Sequence, residues 1–313
     1  MAKIFVTGGA GFIGSHLCGR LLEEGHQVTA YDNLLLGKEA FLSPYKGSEK
    51  FRFVKADLLD RPALQAALKG HDLVFHMAAN SDILEGSRRT DVDLNLGTLA
   101  TYNVLESMRE ESIRECVFAS TSAIYGEAQV KPTPEDYGPL LPISFYGASK
   151  LACEALMTAF SHNFGFRVWI YRFANIVGSH STHGAIHDFI QRLKKDPSVL
   201  KVLGNGTQKK SYLHVSDCVE GMLYGYKKAQ AEVNLFNLAS EGTTQVRFIA
   251  EEVVRQMGRG TRIEFGTEDR GWKGDVPFTW LDGRAFGQLG WKPRWKSDEA
   301  VIRAIEDVLA EVP

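Results

Sequence analysis

Cysteine is scarce in this chain. Its 313 residues hold four, Cys18, Cys116, Cys153 and Cys218, and none are paired at the short spacing of a zinc site or a redox dithiol. A disulfide framework is excluded, and a reducing, cytoplasmic setting is the expectation. Charge excess is missing too. A formal net charge of −2 offers no field for nucleic acid or an anionic membrane, so neither is expected as a partner. An anionic ligand must be met by local groups instead. No apolar run reaches the ~20 residues of a membrane span. The first residues enter a strand at once, without the basic and apolar regions of an export signal. Internal repeats, low-complexity tracts and long charge runs are absent as well. The composition that remains, 44% hydrophobic and 24% charged, is that of an ordinary globular protein.

The informative features are local. Ile4-Phe5-Val6 is a short apolar run ending in glycine, as a strand buried on both faces would be. Phe12 to Glu24 has helical apolar spacing and stops at Gly25. Between them stands Gly8-x-x-Gly11-x-x-Gly14. Such a turn brings the backbone close to a pyrophosphate and points a helix N-terminus at it. Strand two ends in Asp32, whose carboxylate suits the adenosine ribose hydroxyls and repels a 2′-phosphate. NAD is therefore expected rather than NADP. Asp57 follows strand three and can reach adenine. Ala78 and Ala79 follow strand four and are small enough to lie against a cofactor. Further strands are read at Asp72 to Phe75, Cys116 to Ser120 and Arg167 to Tyr171. Helices are read at Arg61–Lys69, Asp93 to Met108 and Phe145 to Phe164. This alternation predicts an α/β fold, a doubly wound parallel Rossmann sheet with a smaller C-terminal lobe that binds substrate. The boundary is drawn at 1–175 and 176–313, with a segment near 211–240 returning to the first unit. Ser297 is read as the N-cap of a final amphipathic helix carrying Val301, Ile305 and Val308.

Tyr146 and Lys150 stand four apart on the Phe145–Phe164 helix, so their side chains share a face. A free tyrosine titrates near ~10, and acting as a base near pH 7 needs a shift of roughly 3 units, about 4 kcal/mol. One nearby cation supplies ~1–3 units. Lys150 and an oxidised nicotinamide together meet that demand, and Ala119-Ser120-Thr121-Ser122 closes strand five beside them.

With these motifs in place, the chain resembles the extended short-chain dehydrogenase/reductase superfamily, in particular its nucleotide-sugar epimerases of the UDP-galactose 4-epimerase kind. The resemblance spans essentially the whole chain. It rests on Thr7 to Gly14, Phe75-His76-Met77-Ala78-Ala79, Asn95 with Gly97-Thr98, Ser120 to Gly126, the Tyr146/Lys150 pair and Tyr171 to Asn175. Gly204-Asn205-Gly206, Tyr212 to Asp217 and Gly274-Asp275-Val276-Pro277 extend it. It implies a cofactor set of Gly8, Gly11, Phe12, Ile13, Gly14, Asp32, Asn33, Asp57, Leu58, Ala78, Ala79, Asn95, Tyr146, Lys150 and Phe173. Thr121 takes the place of the hydroxyl that holds the sugar O4, with Ser122 beside it. Asn95 matches a buried helix residue that braces the site, and Asn175 a residue that touches the sugar-nucleotide diphosphate. A homodimer through the two long helices is implied as well.

The same resemblance narrows the reaction. Related 4,6-dehydratases carry Thr-Asp-Glu at this point, and decarboxylating relatives carry Glu two positions after the threonine. Ser122 and Ala123 provide neither acid nor base. Reversible oxidation at C4 of a UDP-sugar is the simplest remaining chemistry. Thr279 stands where some hexose-only relatives carry a bulky tyrosine, which favours UDP-GlcNAc/UDP-GalNAc. The alternatives are UDP-glucose/UDP-galactose, UDP-uronic acids, or a dehydratase or reductase. Two departures stand out. Ser179-His180 replaces the common Pro-Arg, and Lys209-Lys210 replaces a phosphate-binding arginine. Lysine neutralises a phosphate but not bidentately, so Arg270 or Lys273 is expected to add charge, near Asp275. His180, His183 and His187 are read as substrate-loop or surface histidines, and no metal is expected.

Overall fold

The computed structural model describes residues 1–258, 260–272 and 274–311. In chain order the first half runs β1 (Lys3–Thr7), α1 (Phe12–Glu23), β2 (Gln27–Asp32), β3 (Phe51–Lys55), α2 (Arg61–Leu68), β4 (Leu73–His76), α3 (Ile83–Arg88), α4 (Ala100–Glu110), β5 (Glu115–Thr121), α5 (Phe145–Phe164) and β6 (Arg167–Phe173). The second half runs β7 (Asn175–Val177), α6 (Ala185–Lys195), β8 (Val199–Val202), β9 (Lys209–Lys210), β10 (Tyr212–His214), α7 (Val215–Lys228), β11 (Val233–Leu238), β12 (Thr244–Gln245), α8 (Val246–Met257), β13 (Arg262–Phe265), β14 (Phe278–Thr279), α9 (Arg284–Gln288) and α10 (Ser297–Glu311). Seven strands form one sheet in the order β11-β6-β5-β4-β1-β2-β3, and every neighbouring pair is parallel. The order reverses between β1 and β4, which opens a crevice at the carboxyl ends of those strands.

Alternation along β1 shows why both faces are covered. Ile4 and Val6 pack with Leu17, Cys18 and Leu21 of α1 and Met222 of α7. Phe5 points the other way, into Leu64, Val104, Met108, Cys153 and Met157. Each fully buried aliphatic contributes ~1.5–3 kcal/mol, so the two faces lock the sheet from opposite sides. A third core joins Phe189, Ile190, Ile249, Val253, Val301 and Ile305 on α6, α8 and α10. All four cysteines are buried and free.

Two local expectations are corrected. The Asp93 to Met108 helix is not one α-helix: Leu94–Leu99 is π-helical and the α-helix starts at Ala100. Apolar spacing over a single turn does not separate the two forms. Packing does, because Ser149 Oγ donates to the Asp93 carbonyl at 2.7 Å and pairs with Thr98 Oγ1 at 3.0 Å. A Cβ on Gly97 would collide with the same Ser149 Oγ, so the widened turn fits around that hydroxyl. Ser297 lies inside α10 rather than capping it. Lys296 takes the cap position, with its N–H on Glu299 Oε2 at 2.9 Å, the return half of a capping box. The Ser297 hydroxyl instead accepts from Tyr212 N and pairs with Thr244.

Candidate active site

The glycine turn is built by steric necessity. Gly8 has φ +65° and Gly8 N donates to the Tyr31 carbonyl at 2.8 Å. A Cβ there would press on Ala78, and one on Gly14 would collide with the Gly8 carbonyl. Gly11 caps α1 without a side-chain hydrogen bond, which leaves the first-turn N–H groups facing the crevice. Behind the turn, Thr7 Oγ1 lies 2.6 Å from His76 Nδ1 and accepts from Ala78 N at 3.2 Å. His76 Nε2 pairs with Thr101 Oγ1 at 2.9 Å. This fully buried histidine ties the ends of β1 and β4 together, and burial pushes its pKa down to about 3.

The cleft that opens from this turn is lined by Gly8, Gly11, Phe12, Ile13, Gly14, Asp32, Asn33, Asp57, Leu58, Ala78, Ala79, Tyr146, Lys150 and Phe173. Asp32 is buried, which raises its pKa; its carboxylate accepts Leu34 N at 2.8 Å and Ala10 N at 3.0 Å. Two fixed N–H bonds leave a lone pair on each oxygen for a diol. Asn33 Nδ2 donates to Asp57 Oδ2 at 2.9 Å and joins the strand-two and strand-three ends. These backbone cradles and the ribose-facing carboxylate fit a dinucleotide. Asn95 is outside the lining: it is half-buried in the π-turn and its amide reaches Asp91 at 3.4 Å. Its neighbour Leu96 lines the cleft instead. The sequence also missed Leu35, Leu36, Ser81 and Thr182, all on the lining, and His183, read as a substrate-loop or surface histidine, lines this cleft too. They carry no local pattern; only the folded loops bring them in.

The candidate catalytic pair opens α5. Ser144 caps this helix, its hydroxyl accepting from Gly147 N at 3.0 Å. Tyr146 and Lys150 both reach the cleft. Lys150 is buried, donates to the Ala119 carbonyl at 2.6 Å and lies 5.9 Å from the centre of the Tyr146 ring. Burial lowers its pKa to about 8, opposed by Cys153, Glu154 and Asp93. The Tyr146 hydroxyl is pushed up to about 12 by burial, against the pull of a hydrogen bond with Thr121. The base is therefore farther from neutrality than a free phenol, a demand invisible in the sequence. Behind the pair, Ser120 Oγ donates to Glu154 Oε1 at 2.5 Å, and Arg172 Nη2 meets Glu154 Oε2 at 2.8 Å.

The expected substrate residues are not on the lining of this cleft. Parallel β9 and β14 set Thr279 opposite Lys210. Ser211 N donates to the Thr279 carbonyl at 3.0 Å, and the Asn175 amide to the Ser211 carbonyl at 3.3 Å. Thr121 and Ser122 enter at the end of β5, where Thr121 Oγ1 accepts from Ala123 N at 3.1 Å. Both candidate cations arrive paired. Lys210 Nζ bonds Asp275 at 2.5 Å, and Arg270 meets Glu127 at 3.2 Å. Lys273 lies outside the described residues. The three histidines take separate partners. His180 stacks on Phe41, the His183 ring pairs with Thr182 and His187 with Asp188.

A parallel sheet with a glycine-rich first turn and a Tyr/Lys pair at its carboxyl edge defines a nucleotide-dependent oxidoreductase-type site. Residues 4–264 match the model of the NAD dependent epimerase/dehydratase family, and the chain belongs to it. The uncharacterized UDP-glucose epimerase YtcB of Bacillus subtilis is 32% identical over 295 residues, 90% of this chain and 89% of that protein. A crystal structure of a UDP-galactose 4-epimerase superposes with a TM-score of 0.90 at 39% identity, over 99% of this chain and 100% of that one. MoeE5 in complex with UDP-glucuronic acid and NAD gives 0.87 at 28% identity, over 99% and 100%. The protein is an NAD-dependent enzyme of the epimerase family. No helix among the described residues is long and apolar enough to cross a membrane.

Proposed function

We propose that this enzyme is a UDP-sugar 4-epimerase whose preferred pair is UDP-GlcNAc and UDP-GalNAc. The observation that carries the reaction type is the approach of Tyr146, Lys150 and the dinucleotide turn to one cleft, with only Ser122 and Ala123 following Thr121. NAD, when bound, supplies the acceptor for the C4 hydride and returns it. Thr121 holds O4 and Tyr146, Tyr146 takes the O4 proton and later gives it back, and Lys150 supplies positive charge beside the phenol. No further acid or base is present after Thr121 to eliminate water or carboxylate, so the 4-keto sugar is reduced again on its other face.

The sugar preference rests on Thr279, small and half-buried opposite Lys210, where a phenol ring would take the space of a 2-acetamido group. The similarity to a UDP-galactose 4-epimerase favours a second reading, the plain hexose pair. Incubating the holoenzyme with UDP-GlcNAc, UDP-glucose and UDP-glucuronic acid, without added NADH, and reading products by NMR tests both. Release of a 4-keto product, or turnover only once NADH is supplied, overturns the epimerase reading.

Leu94, Leu99 and Tyr102 on the π-turn and α4, with Phe145 and Phe164 on α5, expose large apolar side chains. That face supports a homodimer, and sedimentation at micromolar concentration checks it. Four buried free thiols suit a cytoplasmic setting.

A further inference from the structure

The segment from Gly178 to Gly184 crosses the crevice. Its first half is fastened to α1 directly behind the glycine turn. His180 stacks on Phe41 with ring centres 4.1 Å apart and planes 5° apart, and on His16 at 4.6 Å. His180 Nδ1 pairs with Ser15 Oγ at 2.9 Å, and its backbone N–H donates to Glu311 at 2.8 Å. His16 Nε2 reaches the Ser179 carbonyl at 3.1 Å. The second half lies over the other bank. Thr182 and His183 line the dinucleotide cleft, as does Ser81 beyond β4. Thr182 Oγ1 and His183 Nδ1 are 3.2 Å apart, which steadies the ring.

Glycines bound the segment for different reasons. Gly178 has φ +146° and a Cβ there would press on Val215. Gly184 has φ +99° with open space around it, so its backbone conformation alone asks for glycine. One end is held by packing, and at the other Gly184 passes into α6, its carbonyl accepting from Asp188 N at 2.9 Å.

We propose that 178–184 is a strap over the dinucleotide and that His183 is its latch, a cofactor-retaining residue that keeps NAD in place while sugar exchanges. The chemistry requires such a device, since a cofactor that is reduced and reoxidised within one turnover must not leave between the half-reactions. The inference rests on NAD occupying this cleft and not on the identity of the sugar.

The test loads the holoenzyme with radiolabelled NAD, chases with unlabelled NAD and counts protein-bound label after rapid desalting. His183 is exposed at the cleft mouth, so His183→Ala leaves the core untouched. It should speed label loss about tenfold, ~1.4 kcal/mol, the scale of one hydrogen bond. His183→Gln, which keeps a donor, should recover most of the retention. His187→Ala, facing Asp188 outside the strap, should leave it unchanged. Loss within twofold of wild type for His183→Ala, failure of the glutamine to rescue, or equal acceleration by His187→Ala overturns the proposal. Label exchange stays measurable even if no UDP-sugar turns over, so the two readings fail separately.

Discussion

Raising the pH should switch this enzyme off through Lys150. The amine is 3% exposed and its pKa falls to about 8 by burial, with Cys153, Glu154 and Asp93 opposing. Tyr146, at about 12, stands roughly 5 units above neutrality, about 7 kcal/mol. One cation supplies ~1–3 units. Lys150 alone therefore falls short, and an oxidised nicotinamide alone does as well; both charges are needed. With a pKa near 8, the charged fraction of Lys150 drops from roughly 0.9 at pH 7 to roughly 0.1 at pH 9. The expected kcat falls about tenfold across that interval. The assay is kcat at saturating UDP-sugar from pH 6.5 to 10, with product read by NMR. Lys150→Arg keeps its charge throughout, so its profile should stay flat on the basic side, at a lower absolute rate because the guanidinium is larger than the space. A wild-type rate that holds to pH 9.5, or an unchanged basic limb in Lys150→Arg, refutes the reasoning.

Tyr146→Phe removes the proton acceptor and should lower kcat by ~10²–10⁴ with the UDP-sugar Kd preserved; residual activity above a tenth would take Tyr146 out of the mechanism. Because the Asp32 oxygens are already held by Ala10 and Leu34, NAD should bind more tightly than NADP by calorimetry, and Asp32→Ala should narrow the gap. His76 is neutral in the fold, at about 3, against an ordinary value of 6.5. The unfolded chain therefore takes up a proton that the folded one refuses as pH falls below 6.5. Stability is full above that value and lost downwards until about pH 3, roughly 2 kcal/mol between pH 7 and 5; urea melts of wild type and His76→Gln should differ in that slope. Thr279→Tyr should cut kcat/KM for the N-acetylated pair by the ~1–3 kcal/mol of overpacking while sparing the hexose pair, and a parallel fall would remove Thr279 from the C2 side.

The parts of the site that were legible in the sequence are those where chemistry dictates spacing. Gly8, Gly11 and Gly14 sit where backbone meets backbone, as the collisions of a Cβ on Gly8 or Gly14 show. Tyr146 and Lys150 must share a helix face. The π-turn at Leu94–Leu99 was not legible, because its cause is a hydroxyl on α5, Ser149, far along the chain. The seventh strand, Val233–Leu238, is placed by register with β6, a long-range pairing with no local mark. Thr182 has no local mark and His183 reads only as a substrate-loop or surface histidine, because residues in a turn have no period to place them on the cleft. One property of Tyr146 depends on the fold. Burial raises its pKa to about 12, a demand on Lys150 and the nicotinamide that spacing along the chain does not reveal.

The pairing of the substrate-side cations bears on how the proposed reaction can run in both directions. Lys210 is already neutralised by Asp275, and Arg270 by Glu127. A diphosphate entering this patch must share each cation with a resident carboxylate, which weakens the grip relative to two free charges. The sugar end would meet short hydroxyls, Thr121, Ser122 and Thr279, rather than a fixed bidentate clamp. On the proposed mechanism the keto sugar must turn over before the hydride returns, and every hydrogen bond held tightly through that rotation would add to its barrier. Retention of the dinucleotide then has to come from the opposite side of the cleft, from the glycine turn, from Asp32 and from the strap. The same logic separates the two ligands by rate: sugar nucleotide should exchange within a turnover and NAD only over many.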